Sequence, residues 1–333
     1  MAVNSKFQKK LNYKQQLPFL SLRLYRIILN YIHYYMLRRN FLRSSALSVG
    51  ALAVSHHTIL KAFIDDPWKI KMLTDDFGVF TEKGGTILFY FSKDGIVVVD
   101  SQFPEQSKHL IDELKKRNDK PFHLLINTHH HGDHSSGNIS FKGLTDRVLA
   151  HENSKKNQQR VAIAQKTEEQ QLYPNQVFGS VWSEKVGKEK LTLHYFGPAH
   201  TDGDALIHFE HADILHMGDL INNRRYPYID QTAGASIKGW IDVLDKTIKK
   251  FGNKTTFVFG HASEGFDVYG KKDDIKAMKD YFEKLVAFTE KEIKAGKSQE
   301  EFMKNTSIPG VTEWIGTGIE RSLTAAWNEF AKS

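Results

Sequence analysis

Residues 126–138 read INTHHHGDHSSGN, with four histidines and an aspartate packed between His129 and His134. They follow directly on FHLLIN (122–127), an apolar run with the composition of a buried strand. The cluster therefore belongs to a loop at the C-terminal end of a strand, where layered α/β proteins place their sites. Alternate residues of extended backbone share a side, so His129, His131 and Asp133 face together while His130 and Gly132 point elsewhere. His134 reaches a neighbouring position once the chain turns.

Before this strand, GVFTEK (78–83), TILFYFS (86–92) and IVVVDS (96–101) alternate with glycine-containing turns, as strands of a meander do. PEQSKHLIDELKKRN (104–118) places Leu110, Ile111 and Leu114 at helical spacing. After it, RVLAH (147–151), LTLHYFG (191–197), ALIHFEH (205–211), DILHMGD (213–219) and TTFVFGH (255–261) read as strands, and 153–170 and 237–250 as helices. Strand runs with helices on both sides predict a layered α/β domain. From Lys271 to Ser333 the chain is charged and helical, a C-terminal extension packed on that domain.

Three more predicted strands end in potential ligands, each with a nearby glycine that permits a sharp turn: His200, Asp219 and His261. Folding of the sheet back on itself would bring them to the first loop. The chain has no cysteine, which excludes disulfides, thiolate ligands and cysteine nucleophiles. A metal held by imidazole and carboxylate alone is most simply zinc, with manganese or iron as competitors.

The formal charge of +7 is misleading about partners. Nine of the 46 basic residues lie before residue 54 and the first acid is Asp65, so the remainder carries 37 basic against 39 acidic residues. The body offers no electrostatic case for nucleic acid. The basic leader contains RRNFLRSSALSVGALAVS (38–55), which resembles a twin-arginine export signal ending in the small-x-small sequence Ala51-Leu52-Ala53. Residues 1–53 are therefore expected to be a leader that meets the membrane only during export to the periplasm, and a cytoplasmic protein is expected if they are not. Met36 marks an alternative start that would make residues 1–35 an over-called extension. Residues 54–76 would connect the leader to a domain over 77–265, followed by the extension over 266–333.

The ordered set His-x-His-x-Asp-His at 129–134, His200, Asp219 and His261, with Asp100 ending an early strand, resembles the metallo-β-lactamase superfamily over roughly residues 77–265. The resemblance implies an αββα sandwich with a dinuclear site at one edge. It implies that His129, His131 and His200 hold one metal, that Asp133, His134 and His261 hold the other, and that Asp219 bridges them. It also implies that Asp100 fixes the motif loop through hydrogen bonds, while the remaining histidines, His130 and His216 among them, lie on the surface or in the core. Two zinc ions would share a hydroxide that cleaves an ester, lactone, thioester or β-lactam carbonyl of a small molecule, with Asp133 orienting it and passing its proton on.

Departures from the pattern narrow the choice. Without cysteine the chain does not match lactamases with a thiolate ligand, and His131 stands where di-iron oxygen-reducing members carry glutamate. An aspartate at 219 is more similar to the glyoxalase II and lactonase branches. A mononuclear iron dioxygenase of a sulfur substrate is the alternative enzyme class, and a non-catalytic metal-containing accessory protein the alternative outside catalysis. For substrate contacts, NNRRYPYID (222–230) offers Arg224, Arg225, Tyr226 and Tyr228, and LYPNQVFGSVW (172–182) reads as a lid or as packing on the body.

Overall fold

The computed structural model describes residues 66–331; the leader, its twin arginines and any cleavage site lie outside the described residues. Contacts divide the chain after Pro67, and the account below concerns the unit that begins at Trp68.

In chain order its strands and helices are β1 Lys69–Met72, β2 Phe77–Thr81, β3 Ile87–Ser92, β4 Gly95–Val99, α1 Pro104–Arg117, β5 Phe122–Ile126, α2 Gly132–Ser135, β6 Val148–His151 and α3 Glu152–Gln165. Then come β7 Gln176–Phe178, β8 Val181–Val186, β9 Glu189–His194, β10 Leu206–Phe209, β11 Ile214–His216, β12 Asn222–Asn223 and α4 Ile237–Lys250. The last are β13 Thr256–Val258, β14 His261–Ala262, β15 Tyr269–Gly270, α5 Lys272–Lys294, α6 Gln299–Phe302 and α7 Ile319–Phe330. One sheet runs β1 to β7 in sequence order, antiparallel as far as β4 and parallel beyond it. A second has the order β15-β13-β11-β10-β9-β8.

The period-two pattern of the strands explains why the sheets stack and why helices cover both outer faces. Leu88, Tyr90, Val97, Val99, Leu124 and Ile126 of the first sheet share one core with Leu191, Leu193, Ile207, Phe209 and Val258 of the second. The alternate residues Ile87, Phe89, Ile96 and Val98 face the other way and pack on Leu110, Ile111 and Leu114 of α1. A register shift between Ile96 and Val97 puts Phe122 on that outer side although Leu124 faces inward. On the second sheet Leu206, Leu215 and Phe257 turn outward to a core shared with Trp240 and Leu244 of α4, Phe282 of α5 and Leu323 of α7. The molecule is the αββα sandwich with a C-terminal helical extension.

Two local readings change. Residues 172–182 form no separate flap: Gln176–Phe178 is the edge strand of the first sheet and Val181–Val186 that of the second, so the segment is the crossover between sheets. The extension is keyed to the site loops as well as to the core. Glu329 of α7 accepts from the Ile237 and Lys238 backbone N–H groups at 2.8 and 3.1 Å and from Ser236 Oγ at 3.0 Å, supplying α4 with N-terminal hydrogen bonds from a distant element. Replacing Glu329 by Ala is expected to destabilise the fold by about 1–2 kcal/mol, read as a lower midpoint in urea unfolding; an unchanged midpoint would refute the capping role.

Candidate metal centre

The predicted ligands cluster near strand ends: His129 and His131 follow β5, Asp133 and His134 lie in α2 just beyond them, His200 lies between β9 and β10, Asp219 follows β11, and His261 opens β14. All these strand ends meet at one edge of the sandwich. The motif loop is held from below by Asp100, which is fully buried with a left-handed φ of 68°. Its Oδ1 accepts from the Thr128 N–H at 2.7 Å, and its Oδ2 accepts from Thr128 Oγ1 and from His134 Nδ1, both at 2.7 Å. Two glycines permit the close approach: a Cβ on Gly85 would overlap the His134 ring, and one on Gly260 would overlap Asp219 Oδ1.

Proton positions follow from the partners. Thr128 Oγ1 spends its one proton on Asp100, so His129 Nδ1, 3.0 Å away, donates to that oxygen and Nε2 is left with its lone pair. His200 Nδ1 donates to the Tyr228 carbonyl at 2.7 Å, which likewise frees Nε2. His131 Nε2 donates to Asp230 Oδ2 at 3.0 Å, which frees Nδ1. The three free nitrogens then face one another: His129 Nε2 to His131 Nδ1 3.0 Å, His200 Nε2 to His131 Nδ1 2.9 Å, and His200 Nε2 to His129 Nε2 3.3 Å. Three converging lone pairs with no proton between them repel, and a cation among them reverses the sign.

Beside this trio lies a second group, Asp133, His134 and His261. His261 Nε2 is 3.0 Å from Asp133 Oδ2, and Asp219 Oδ1 is 3.0 Å from His134 Nε2 and 3.5 Å from His261 Nε2. Asp219 Oδ2 is 3.7 Å from His200 Nε2, so this one carboxylate touches both groups. His134 Nε2 and Asp219 Oδ1 are buried and, although 3.0 Å apart, are not aligned for a hydrogen bond with each other or with any other described group. Such orphaned atoms in a set of imidazoles and carboxylates fit a second divalent cation. The His/Asp clusters are those of a dinuclear metal-binding site.

Charge follows from burial and neighbours. Burial, followed by the charges of His134 and His200, pushes the His129 pKa well below its ordinary value. Burial and His131 bring that of His200 down to about 3. Burial also disfavours charge on His134, but Asp219, Asp100 and Asp133 together raise it well above the ordinary value. Desolvation would raise the two carboxylates, yet His134 and His261 hold Asp133 at about 2, and His261 and His134 hold Asp219 well below the carboxylate range. Without metal the site thus keeps a proton on His134, which a cation bound there must displace.

A cleft of about 340 Å³ opens over the second group, lined by His131, Asp133, Asp219, Asn222, Arg225, Tyr226, Tyr228, His261 and Arg321 among others. Of the four residues offered as substrate contacts, Arg225, Tyr226 and Tyr228 line this cleft and Arg224 does not. Its guanidinium turns away to pair with Glu313 at 2.9 Å and Asp274 at 3.5 Å, and it lies over the rings of Trp314 and Phe266. Those partners take up its charge and hold the C-terminal segment against the site loop.

Two residues, Asp230 and Arg321, were not singled out from the sequence, and His216, read there as a surface or core histidine, is in the core. Asp230 orients His131 and lies 3.5 Å from His130 Nε2, and hydrogen bonds from both rings draw its pKa far down despite burial. It lies 99 positions from His131, and its only local signal was an acid closing the aromatic loop. His216 is a fully buried brace: its Nε2 donates to the Thr86 carbonyl and its Nδ1 accepts from the Gly218 N–H beside Asp219, both at 3.0 Å. Arg321 sits in a helix with no motif around it.

The metallo-beta-lactamase superfamily model matches residues 81–261, more than half of the chain. This chain belongs to the metallo-beta-lactamase superfamily. Within that superfamily it is 28% identical over 211 residues to metallo-beta-lactamase type 2 of Elizabethkingia meningoseptica, covering 58% of this chain and 78% of the relative. To metallo-beta-lactamase IND-1 of Chryseobacterium indologenes it is 23% identical over 191 residues, 56% of this chain and 75% of the relative. Among solved structures it resembles a metallo-beta-lactamase from Pontibacter korlensis, with TM-score 0.55 and 17% identity over 65% of this chain and 99% of that one. It also resembles the stereoselective inverting sec-alkylsulfatase Pisa1 from Pseudomonas sp., with TM-score 0.62 and 14% identity over 78% of this chain and 50% of that one. The family and the metal-binding clusters together make the protein a metallo-hydrolase of the metallo-beta-lactamase fold.

Proposed function

We propose that the protein is a two-zinc hydrolase of small acyl compounds, cleaving an ester, lactone, thioester or lactam. The observation that carries this reading is the juxtaposition of the His129, His131, His200 trio with the Asp133, His134, His261 group across Asp219, at the floor of an open cleft. The trio would hold one ion and the second group the other, with Asp219 in contact with both. Two bound ions supply an acidified water and a Lewis acid for a carbonyl oxygen. Asp133 is held ionised by His134 and His261 and is partly exposed, so it is placed to orient the attacking water and to relay the proton that water gives up. It returns that proton to the departing oxygen, sulfur or nitrogen as the acyl bond breaks, giving a carboxylic acid and an alcohol, thiol or amine. Asp100 and Asp230 keep His134, His129 and His131 in register, the first partly through Thr128.

The test is metal content and parallel hydrolysis assays on ester, lactone, thioester and lactam substrates. Two zinc ions per chain with turnover of at least one class is the expected result. One iron per chain with oxygen consumption would replace this reading with the sulfur dioxygenase, and bound metal without turnover would favour an accessory role. Export to the periplasm belongs to the same proposal, supported by Arg38 and Arg39 ahead of the apolar run. Cell fractionation after Arg38→Lys/Arg39→Lys should retain the protein in the cytoplasm.

A further inference from the structure

The first turn of α4 lies against the chain that leads into His200. A Cβ on Gly239 would stand 2.2 Å from the Pro198 carbonyl oxygen, so only glycine permits this approach. The Ser236 N–H donates to the Ala199 carbonyl at 3.0 Å, and Lys246 Nζ to the Phe196 carbonyl at 2.9 Å. Trp240, next to that glycine and fully buried, then touches the segments of two ligands with one side chain. Its ring packs on the His200 imidazole, centroids 5.4 Å apart and planes at 63°. Its Nε1–H donates to the Leu220 carbonyl at 3.0 Å, one residue past Asp219.

The Tyr228 carbonyl fixes the tautomer of His200, but one hydrogen bond leaves the ring able to tilt about it, and the indole blocks that tilt. Leu220 is buried, so loss of the indole N–H strips its carbonyl of a partner that water cannot replace. Trp240 is itself held from behind. Its ring lies 4.5 Å from that of Phe282 in α5, and Leu323 of α7 belongs to the same core. Glu329 of α7 caps α4 at residues 236–238. Asn328 Nδ2 donates to Gln231 Oε1 at 3.1 Å, and Gln231 Nε2 to the Ala325 carbonyl at 3.0 Å. The extension beyond the 81–261 match thus braces α4 against the metal edge.

We propose that Trp240 is a positioning residue for the metal centre, and that the C-terminal helices set the site's affinity for its ions by holding α4 against it. Donors already fixed in place bind a cation more tightly, because less ordering remains to be done on binding. His129 is held by Thr128 and His131 by Asp230, both through polar groups, whereas the ring of His200 relies on an aromatic wall. Asp219 touches both ligand groups, so drift of its turn weakens both. The inference rests on the two-metal reading of the site and on no particular substrate.

Zinc affinity of the metal-stripped full chain is measured by competition with a chromophoric chelator, and the visible absorption of cobalt(II) loaded in place of zinc is recorded. Trp240→Phe keeps a ring in the core but has no N–H for Leu220. It is expected to bind zinc about 10–100-fold more weakly and to show altered cobalt d–d bands. Glu329→Ala is expected to change both in the same direction and by less. Leu110→Ala is the control, since it truncates a fully buried side chain on the opposite outer face. It is expected to lower the urea midpoint while keeping wild-type zinc affinity and cobalt bands.

Wild-type affinity and bands in Trp240→Phe overturn the inference. So does a loss of affinity in Leu110→Ala equal to that in Trp240→Phe, since general destabilisation would then account for it. Wild-type values in Glu329→Ala overturn the part given to the C-terminal helices, and that variant decides alone if Trp240→Phe does not fold. Zinc binding without hydrolysis of any substrate, with these differences preserved, overturns the hydrolase reading and keeps the positioning role.

Discussion

Stripping divalent ions with a chelator is expected to abolish hydrolysis and to lower the unfolding midpoint by on the order of ten degrees. A ligand that binds only the folded chain adds about 4 kcal/mol when it stands at a thousand times its dissociation constant, and for a domain of this size each kcal/mol moves the midpoint by about 2–4 °C. The stripped protein also becomes acid-labile, and the sign follows from its histidines. His129 and His200 are held neutral in the fold, His200 down to about 3, whereas in the unfolded chain they take up protons near 6.5. The unfolded state therefore binds more protons below that pH, and each ring removes about 1.4 kcal/mol of stability per pH unit as the pH falls from 6.5 towards its folded value. His134 acts in the opposite sense. Its raised pKa contributes stability that is fully present below 6.5 and is lost as the pH rises through the higher folded value. The stripped protein should thus be most stable near neutrality. Calorimetric scans from pH 4 to 9, before and after zinc is restored, check both limbs. Full activity after verified removal of metal would refute the metallo-hydrolase mechanism proposed here.

Asp133→Asn is expected to lower kcat by about 10²–10⁴-fold while leaving most of the bound metal in place. The isosteric amide keeps an oxygen for coordination and retains the packing, but it has no carboxylate to take up a proton. Asp133 lies at the start of α2 within 3.0 Å of His261 Nε2, so the amide can still contact that ring. Its proton affinity is so low in the metal-free chain because His134 and His261 surround it, and the asparagine leaves those partners uncompensated only on the exposed side of the cluster. Metal analysis alongside kcat separates proton handling from ligation. Loss of one ion per chain with the activity would assign Asp133 to holding metal alone, and unchanged turnover would remove it from the chemistry.

The ligand set was legible because its residues obey local rules. Four of them lie within six positions of one loop, and the other three each close an apolar run beside a glycine: His200 near Gly203, Asp219 after Gly218 and His261 after Gly260. The layered α/β class was legible in the succession of strand-like and helix-like runs, while the αββα sandwich was implied only by the resemblance; the structure shows its two faces, Leu88, Tyr90, Val97 and Val99 alternating with Ile87, Phe89, Ile96 and Val98 at the pleat period. Short edge strands such as β7 and β8 were less readable. Val177 and Val181 are exposed there, so the segment lacks the inward pattern that marks a strand.

Arg224 and Arg225 are adjacent and chemically identical, and sequence alone treats them alike. Only the packed structure separates them, by setting Glu313, Asp274, Phe266 and Trp314 around one and the cleft beside the other. Asp230 and Arg321 are cases of the same kind, since their contacts are with residues 99 and 93 positions away, His131 and Tyr228. The sequence by itself determined the strand pattern, the absence of thiolate and the residues able to bind metal, because periodicity and ligand chemistry are properties of the chain. Which charges are cancelled and which are left facing the cleft depends on long-range contacts, and those the tertiary structure alone decided.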